Sequence, residues 1–161
     1  PFRGRLDLGR VGVFGHSRGG FAAPHACLLD QRFDACLNLD GYRLTEAVMQ
    51  NGIRQPYMHI EESTPWDPGE TEPAAERAAT FGRMRGGAYL VTVKGAKHAS
   101  FSDAPLIAPD KYPGIAIDAK RALEITNAYV LAFFDRHVRG LRVNMPSFAE
   151  ATLETYGRAS H

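Results

Sequence analysis

Cysteine, tryptophan, net charge and long apolar runs are all scarce in this 161-residue chain. Its two cysteines, Cys27 and Cys36, are too few for a disulfide framework, and both sit in apolar stretches that suit buried thiols. The longest apolar run, around Tyr129 to Phe134, falls far short of the roughly 20 residues that span a bilayer. With 19 Lys+Arg against 18 Asp+Glu the formal net charge is +1, and no basic stripe is interleaved with aromatics. That argues against a nucleic-acid binder, and no feature of the sequence supports contact with a membrane surface. There are no internal repeats and no low-complexity segments. What is present, 44% hydrophobic and 23% charged residues with 16 Gly and 10 Pro, is the composition of one globular domain.

Apolar runs alternate with helical patterns along the chain. Arg10 to Phe14, Phe33 to Leu39, Pro56 to Ile60 and Ala88 to Val93 read as buried strands. Between them, Phe21 to Leu29 and Ala74 to Arg85 read as helices, with Pro24 expected in the first turn of the former. A long helix is predicted from an Asp118 cap to Arg139, stopped by Gly140. One helical turn is expected near Glu46 to Met49, and residues 141 to 161 carry little signal. Strands separated by helices imply right-handed parallel crossovers, hence an α/β parallel sheet flanked by helices. Only four strands are visible, and the first begins almost at Pro1. The expectation is therefore the C-terminal portion, residues 1–161, of a single larger α/β domain.

Gly15-His16-Ser17-Arg18-Gly19 fits Gly-x-Ser-x-Gly, the sharp strand-to-helix turn that lifts a serine hydroxyl clear of the backbone. The match follows a strand pattern and opens a helix, which is the context the turn requires. Both glycines are expected to relieve crowding between strand and helix. A serine attacks only when a histidine takes its proton and a carboxylate orients that histidine. Of six histidines, only His98 falls late in the chain in a glycine-containing loop directly after a strong strand. The acid stays open between Asp40, which ends the second strand, and Glu61, Glu62 or Asp67, which follow the third. The backbone N–H of Arg18, the residue after the serine, is the expected oxyanion donor.

Phe14 to Gly20, Asp30-Gln-Arg-Phe33, Leu39-Asp40, Gly95-Ala-Lys-His98, Phe101-Ser-Asp103 and Phe134 to His137 together resemble platelet-activating factor acetylhydrolases of the plasma and type-II group. The resemblance covers about residues 8 to 140. It implies the α/β-hydrolase fold and a serine esterase with Ser17 as nucleophile, Asp40 as acid and His98 as base. The aromatic residues that follow the acid in that family are represented here by Gly41 and Tyr42 alone. The family's first strands, and the loop supplying one oxyanion donor, have no counterpart in this chain, so a complementing N-terminal fragment of the same fold is the expected partner.

The activity expected is hydrolysis of short-chain acyl esters, with a small-molecule or acetylated phospholipid-like ester as substrate and no metal or organic cofactor. Tyr42, Trp66, Phe101 and Leu106 lie in loops that should face the same sheet edge and are the candidate acyl-pocket residues. Two rival readings stand beside it. One is another acyl hydrolase of the same fold: a polyester hydrolase, dienelactone hydrolase or acyl-peptidase, with the acid after the third strand. The other is a non-catalytic α/β binding module.

Overall fold

A computed structural model describes residues 4–41, 43–63 and 73–157. Strands β1 (Gly12–His16), β2 (Ala35–Leu39), β3 (Tyr57–Glu62), β4 (Ala88–Val93) and β5 (Ala151–Tyr156) form one sheet in the order β1-β2-β3-β4-β5. The first four are parallel, joined in turn by α1 (Arg18–Leu29), α2 (Glu46–Asn51) and α3 (Ala74–Gly82), with α2 and its flanking loops forming the second crossover. After β4 come a 3₁₀ turn over His98–Phe101, the short α4 (Ala104–Ile107), a second 3₁₀ turn over Pro109–Lys111, and the long α5 (Ala119–His137).

The near-continuous apolar character of the strands follows from burial on both sheet faces. All five residues of β2 are buried. Alternate side chains split into two cores. Leu37, Met58, Ile60, Tyr89 and Val91 pack with Ile125, Tyr129 and Phe133 of α5. Cys36, Tyr57 and Leu90 face the opposite way and pack with Cys27 of α1, Val48 of α2 and Phe81 of α3. Both cysteines are buried and free, as their apolar settings predict.

Two expectations need correction. The sequence pattern shows four parallel strands, whereas β5 adds a fifth that runs antiparallel to β4. Ala151, Leu153 and Tyr156 are half-buried and the rest of the strand is exposed, with Leu153 against one core and Tyr156 against the other, so no continuous apolar run announces it. Arg121 of α5 pins its approach, pairing with both carboxylate oxygens of Glu150 at 2.9 and 3.0 Å and lying over the Phe148 ring. Secondly, α1 begins directly after Ser17, so Pro24 lies inside the helix instead of in its first turn. Its ring removes the amide that would bond Gly20 O. The expected cap of α5 holds, the Asp118 side chain accepting the Arg121 amide, whereas the helix ends at His137, two residues before the expected Arg139, with Gly140 at φ 68° beyond it.

β1 lies at one edge of the sheet, paired with β2. Phe14 on it is 55% exposed, and Leu6 and Leu8 ahead of it are also exposed. Among the described residues, no helix is long and apolar enough to cross a membrane.

Candidate active site

The carboxyl ends of β1, β2 and β4 deliver Ser17, Asp40 and His98 to one edge of the sheet. In a parallel sheet this edge is where loops diverge and side chains from separate crossovers can meet.

Ser17 joins β1 to α1 at φ 59° and ψ −122°, a backbone conformation that non-glycine residues rarely adopt. Its amide donates to Leu39 O of β2 at 3.0 Å, so the neighbouring strand holds the turn. The hydroxyl makes no capping bond to α1 and is not committed to the helix. The glycines divide the steric work differently from the expectation. A Cβ on Gly15 would fall 2.4 Å from the Gly19 carbonyl carbon, and one on Gly20 would fall 2.2 Å from Asn38 Oδ1. A Cβ on Gly19 would meet nothing within 4 Å. Gly20, outside the five-residue motif, is thus the second glycine that close packing demands.

Asp40 follows β2 at φ 47°, also in the left-handed region. Its amide donates to Ile60 O at 2.7 Å, and its Oδ1 accepts the Glu62 amide at 3.0 Å. The end of β3 therefore orients the carboxylate. The other oxygen, Oδ2, accepts from His98 Nδ1 at 2.7 Å. The Asp40 side chain is 9% exposed and that of His98 is 41% exposed, which leaves a sheltered acid beneath an accessible imidazole. With Nδ1–H donating its hydrogen bond to the carboxylate, Nε2 is the nitrogen left to exchange a proton.

Among the described carboxylates considered for the acid, Asp40 contacts His98. Glu61 instead takes a bidentate pair from Arg77 of α3, both contacts at 2.9 Å. Glu62 touches Asp40 through its amide, and Asp67 lies outside the described residues. Burial holds His59 and His137 below the ordinary histidine pKa, His137 at about 4, and His25 bonds to Thr45. The Arg18 side chain is exposed, while its N–H belongs to the first turn of α1, where amides have no acceptor within the helix.

Phe101 and Leu106, two of the four candidate pocket residues, are described. Phe101 is buried in the core on the α5 side, whereas Leu106 is exposed on α4. Tyr42 and Trp66 lie outside the described residues. Sequence reasoning passed over Asn38 and His16. Asn38 is fully buried in β2 and bonds both polar groups of Gly41; a polar residue in the run Ala-Cys-Leu-Asn-Leu was its only signal. His16 stacks on the His98 ring with centroids 4.6 Å apart and places Nε2 3.0 Å from His98 O.

A mostly parallel sheet with helices on both faces, and a strained serine turn opening the first helix, define a protein of the α/β-hydrolase type. A ferulic acid esterase from Streptomyces cinnamoneus, solved at 2.4 Å, superposes with a TM-score of 0.77 at 32% identity, covering 92% of this chain and 47% of that one. The chain belongs to the family of platelet-activating factor acetylhydrolase, isoform II, whose model matches residues 1–152. Platelet-activating factor acetylhydrolase of Gallus gallus is 27% identical over 148 residues, 83% of this chain and 32% of the relative. The Canis lupus familiaris protein of the same name is 28% identical over 144 residues, 85% and 31% respectively. The chain thus spans about a third of the length of these curated relatives and about half that of the esterase.

Proposed function

We propose that this chain carries the nucleophile, acid and base of a serine carboxylic-ester hydrolase. The observation that carries the reading is the 2.7 Å hydrogen bond between His98 Nδ1 and Asp40 Oδ2, at the same sheet edge as the strained Ser17 turn. Ser17 Oγ attacks the ester carbonyl as His98 Nε2 takes its proton. The tetrahedral oxyanion accepts the Arg18 N–H. Collapse expels the alcohol, protonated by His98, and leaves acyl-Ser17. Water, deprotonated by His98, then releases the carboxylic acid and restores the serine. Asp40 holds the imidazole tautomer throughout and stabilises the imidazolium. Short-chain acyl esters, acetylated phospholipid-like esters among them, are the substrate class, a choice supported by the relatives' names.

The contact of Asp40 with His98 favours an acid after β2 over one after β3, and so favours this reading over the other acyl hydrolases. The test uses a fluorophosphonate probe and a panel of p-nitrophenyl esters on the protein containing this chain. Labelling at Ser17, with turnover lost in Ser17→Ala, is expected. Labelling elsewhere, or no ester turned over, overturns it in favour of a different nucleophile or a non-catalytic module.

The open edge of β1 supports a companion proposal, that an N-terminal segment of the same fold pairs with it. An unpaired row of strand N–H and C=O groups beside exposed Phe14, Leu6 and Leu8 is an aggregation-prone surface until covered. The same segment would supply the second oxyanion donor, a group whose loss costs about 10²–10³ in kcat. Residues 1–161 expressed alone should be poorly soluble and nearly inactive. A monomeric, cooperatively melting and active product would reject the proposal.

A further inference from the structure

We infer that His16, the residue before the proposed nucleophile, is a positioning residue for His98, tethering its backbone and backing its ring. The inference rests on the proposed Ser17, Asp40 and His98 site, and it concerns the alignment of the base within it.

His98 opens a 3₁₀ turn after β4, in a loop, and 41% of its side chain is exposed. One hydrogen bond from Nδ1 to Asp40 leaves the imidazole free to swing about that contact. His16, by contrast, ends β1 and is fixed by the sheet, its partner in register being Leu39. Its Nε2 lies 3.0 Å from His98 O. A carbonyl only accepts, so Nε2 carries the proton and donates. The two rings stack with centroids 4.6 Å apart and planes inclined by 32°. His98 is thereby held at three points: its carbonyl by His16, one ring face by His16, and Nδ1 by Asp40. Nε2 is the ring position left open.

The charge state of His16 suits this role. Burial, then the neighbouring His98, holds its pKa below the ordinary histidine value, with Asp40 opposing. It is therefore neutral at pH 7. A neutral ring beside His98 avoids like-charge repulsion when His98 takes up the serine proton.

Two variants separate tether from stack. His16→Phe keeps a ring of similar size and removes the N–H. His16→Gln removes the ring and keeps an amide donor of similar reach. With the tether lost, kcat of the Phe variant should fall roughly 10- to 100-fold, as misplacement by about 1 Å does elsewhere. KM should change by less than about threefold, because the tether acts on the base and not on the bound ester. The Gln variant should retain kcat within about threefold of the parent.

A second readout needs no turnover. In a Ser17→Ala background, the His98 Nδ1 proton bonded to Asp40 gives a low-field resonance. His16→Phe should broaden or shift it and His16→Gln should retain it. An unchanged resonance with unchanged kcat in His16→Phe overturns the inference, as does a Gln variant as impaired as Phe on both measures. Because the resonance is read without ester hydrolysis, failure of the esterase reading leaves this test decisive for His16.

Discussion

Asn38 Oδ1 accepts the Gly41 amide at 2.6 Å, and its Nδ2 donates to Gly41 O at 3.3 Å. A fully buried amide of a central strand thus clamps the residue after Asp40, which sits at φ 47°. Asn38 Oδ1 also forms the floor beneath Gly20, and Gly41 packs against Ser17 O and the Phe21 amide. One side chain therefore supports both the Asp40 turn and the Ser17 turn.

Asn38→Leu should accordingly disturb the Asp40 turn while keeping an apolar strand. Leaving the Gly41 amide without its acceptor costs about 1–3 kcal/mol. A fall in denaturant-derived stability of that size, with a loss of ester turnover persisting well below the unfolding midpoint, is the expected outcome. Full activity in the folded variant would contradict it.

Asp40→Asn should cripple turnover and Glu61→Gln should not. In serine proteases, loss of the orienting carboxylate costs about 10⁴ in kcat through the wrong imidazole tautomer. Glu61 is paired with Arg77 of α3, so its loss should be read mainly in stability. Steady-state kinetics on one p-nitrophenyl ester compare the two, and the reverse order would move the acid to β3.

The glycines of the serine turn should differ in tolerance. Gly19→Ala adds a Cβ into open space and replaces glycine near a helix start, so it should be neutral or stabilising by up to about 1 kcal/mol. Gly15→Ala drives a Cβ into Gly19 backbone, and Gly20→Ala drives one into buried Asn38. Each should cost about 1–3 kcal/mol or more. Chemical denaturation of the three variants measures the order.

Acid should destabilise the fold through His137. Burial, then the charge of Arg136, depresses its pKa from 6.5 to about 4. Its ring is bonded to the Tyr89 hydroxyl at 3.1 Å. Between those values the unfolded chain binds the proton and the folded one does not. The stability His137 contributes is therefore present above pH 6.5, drains away as pH falls to about 4, and changes no further below. His16 and His59, also held low by burial, act in the same direction. Tm measured across this window should fall less steeply in His137→Phe than in the parent; an equal slope would refute the assignment.

Local chemistry was enough to mark the strands at 33–39 and 88–93, the α5 cap at Asp118, the serine turn, and His98 as the late histidine in a loop. Each rests on neighbours in sequence: apolar runs, a capping carboxylate, glycines flanking a serine. Choosing Asp40 over Glu61 and Glu62 by residue pattern alone was beyond reach, because all three carboxylates end strands of the same sheet. What supports Asp40 is a contact across 58 residues, the 2.7 Å hydrogen bond with His98. The contacts of Asn38 and His16, and the transfer of steric demand from Gly19 to Gly20, come from packing between β1, β2, α1 and the His98 turn. β5 escaped notice because an edge strand with one row half-exposed needs no continuous apolar run. Its place is set by pairing with β4 and by Arg121 reaching Glu150. Residue order determined which groups could do chemistry; long-range register decided which of them meet, because hydrogen bonds form only where folding brings their partners within about 3 Å.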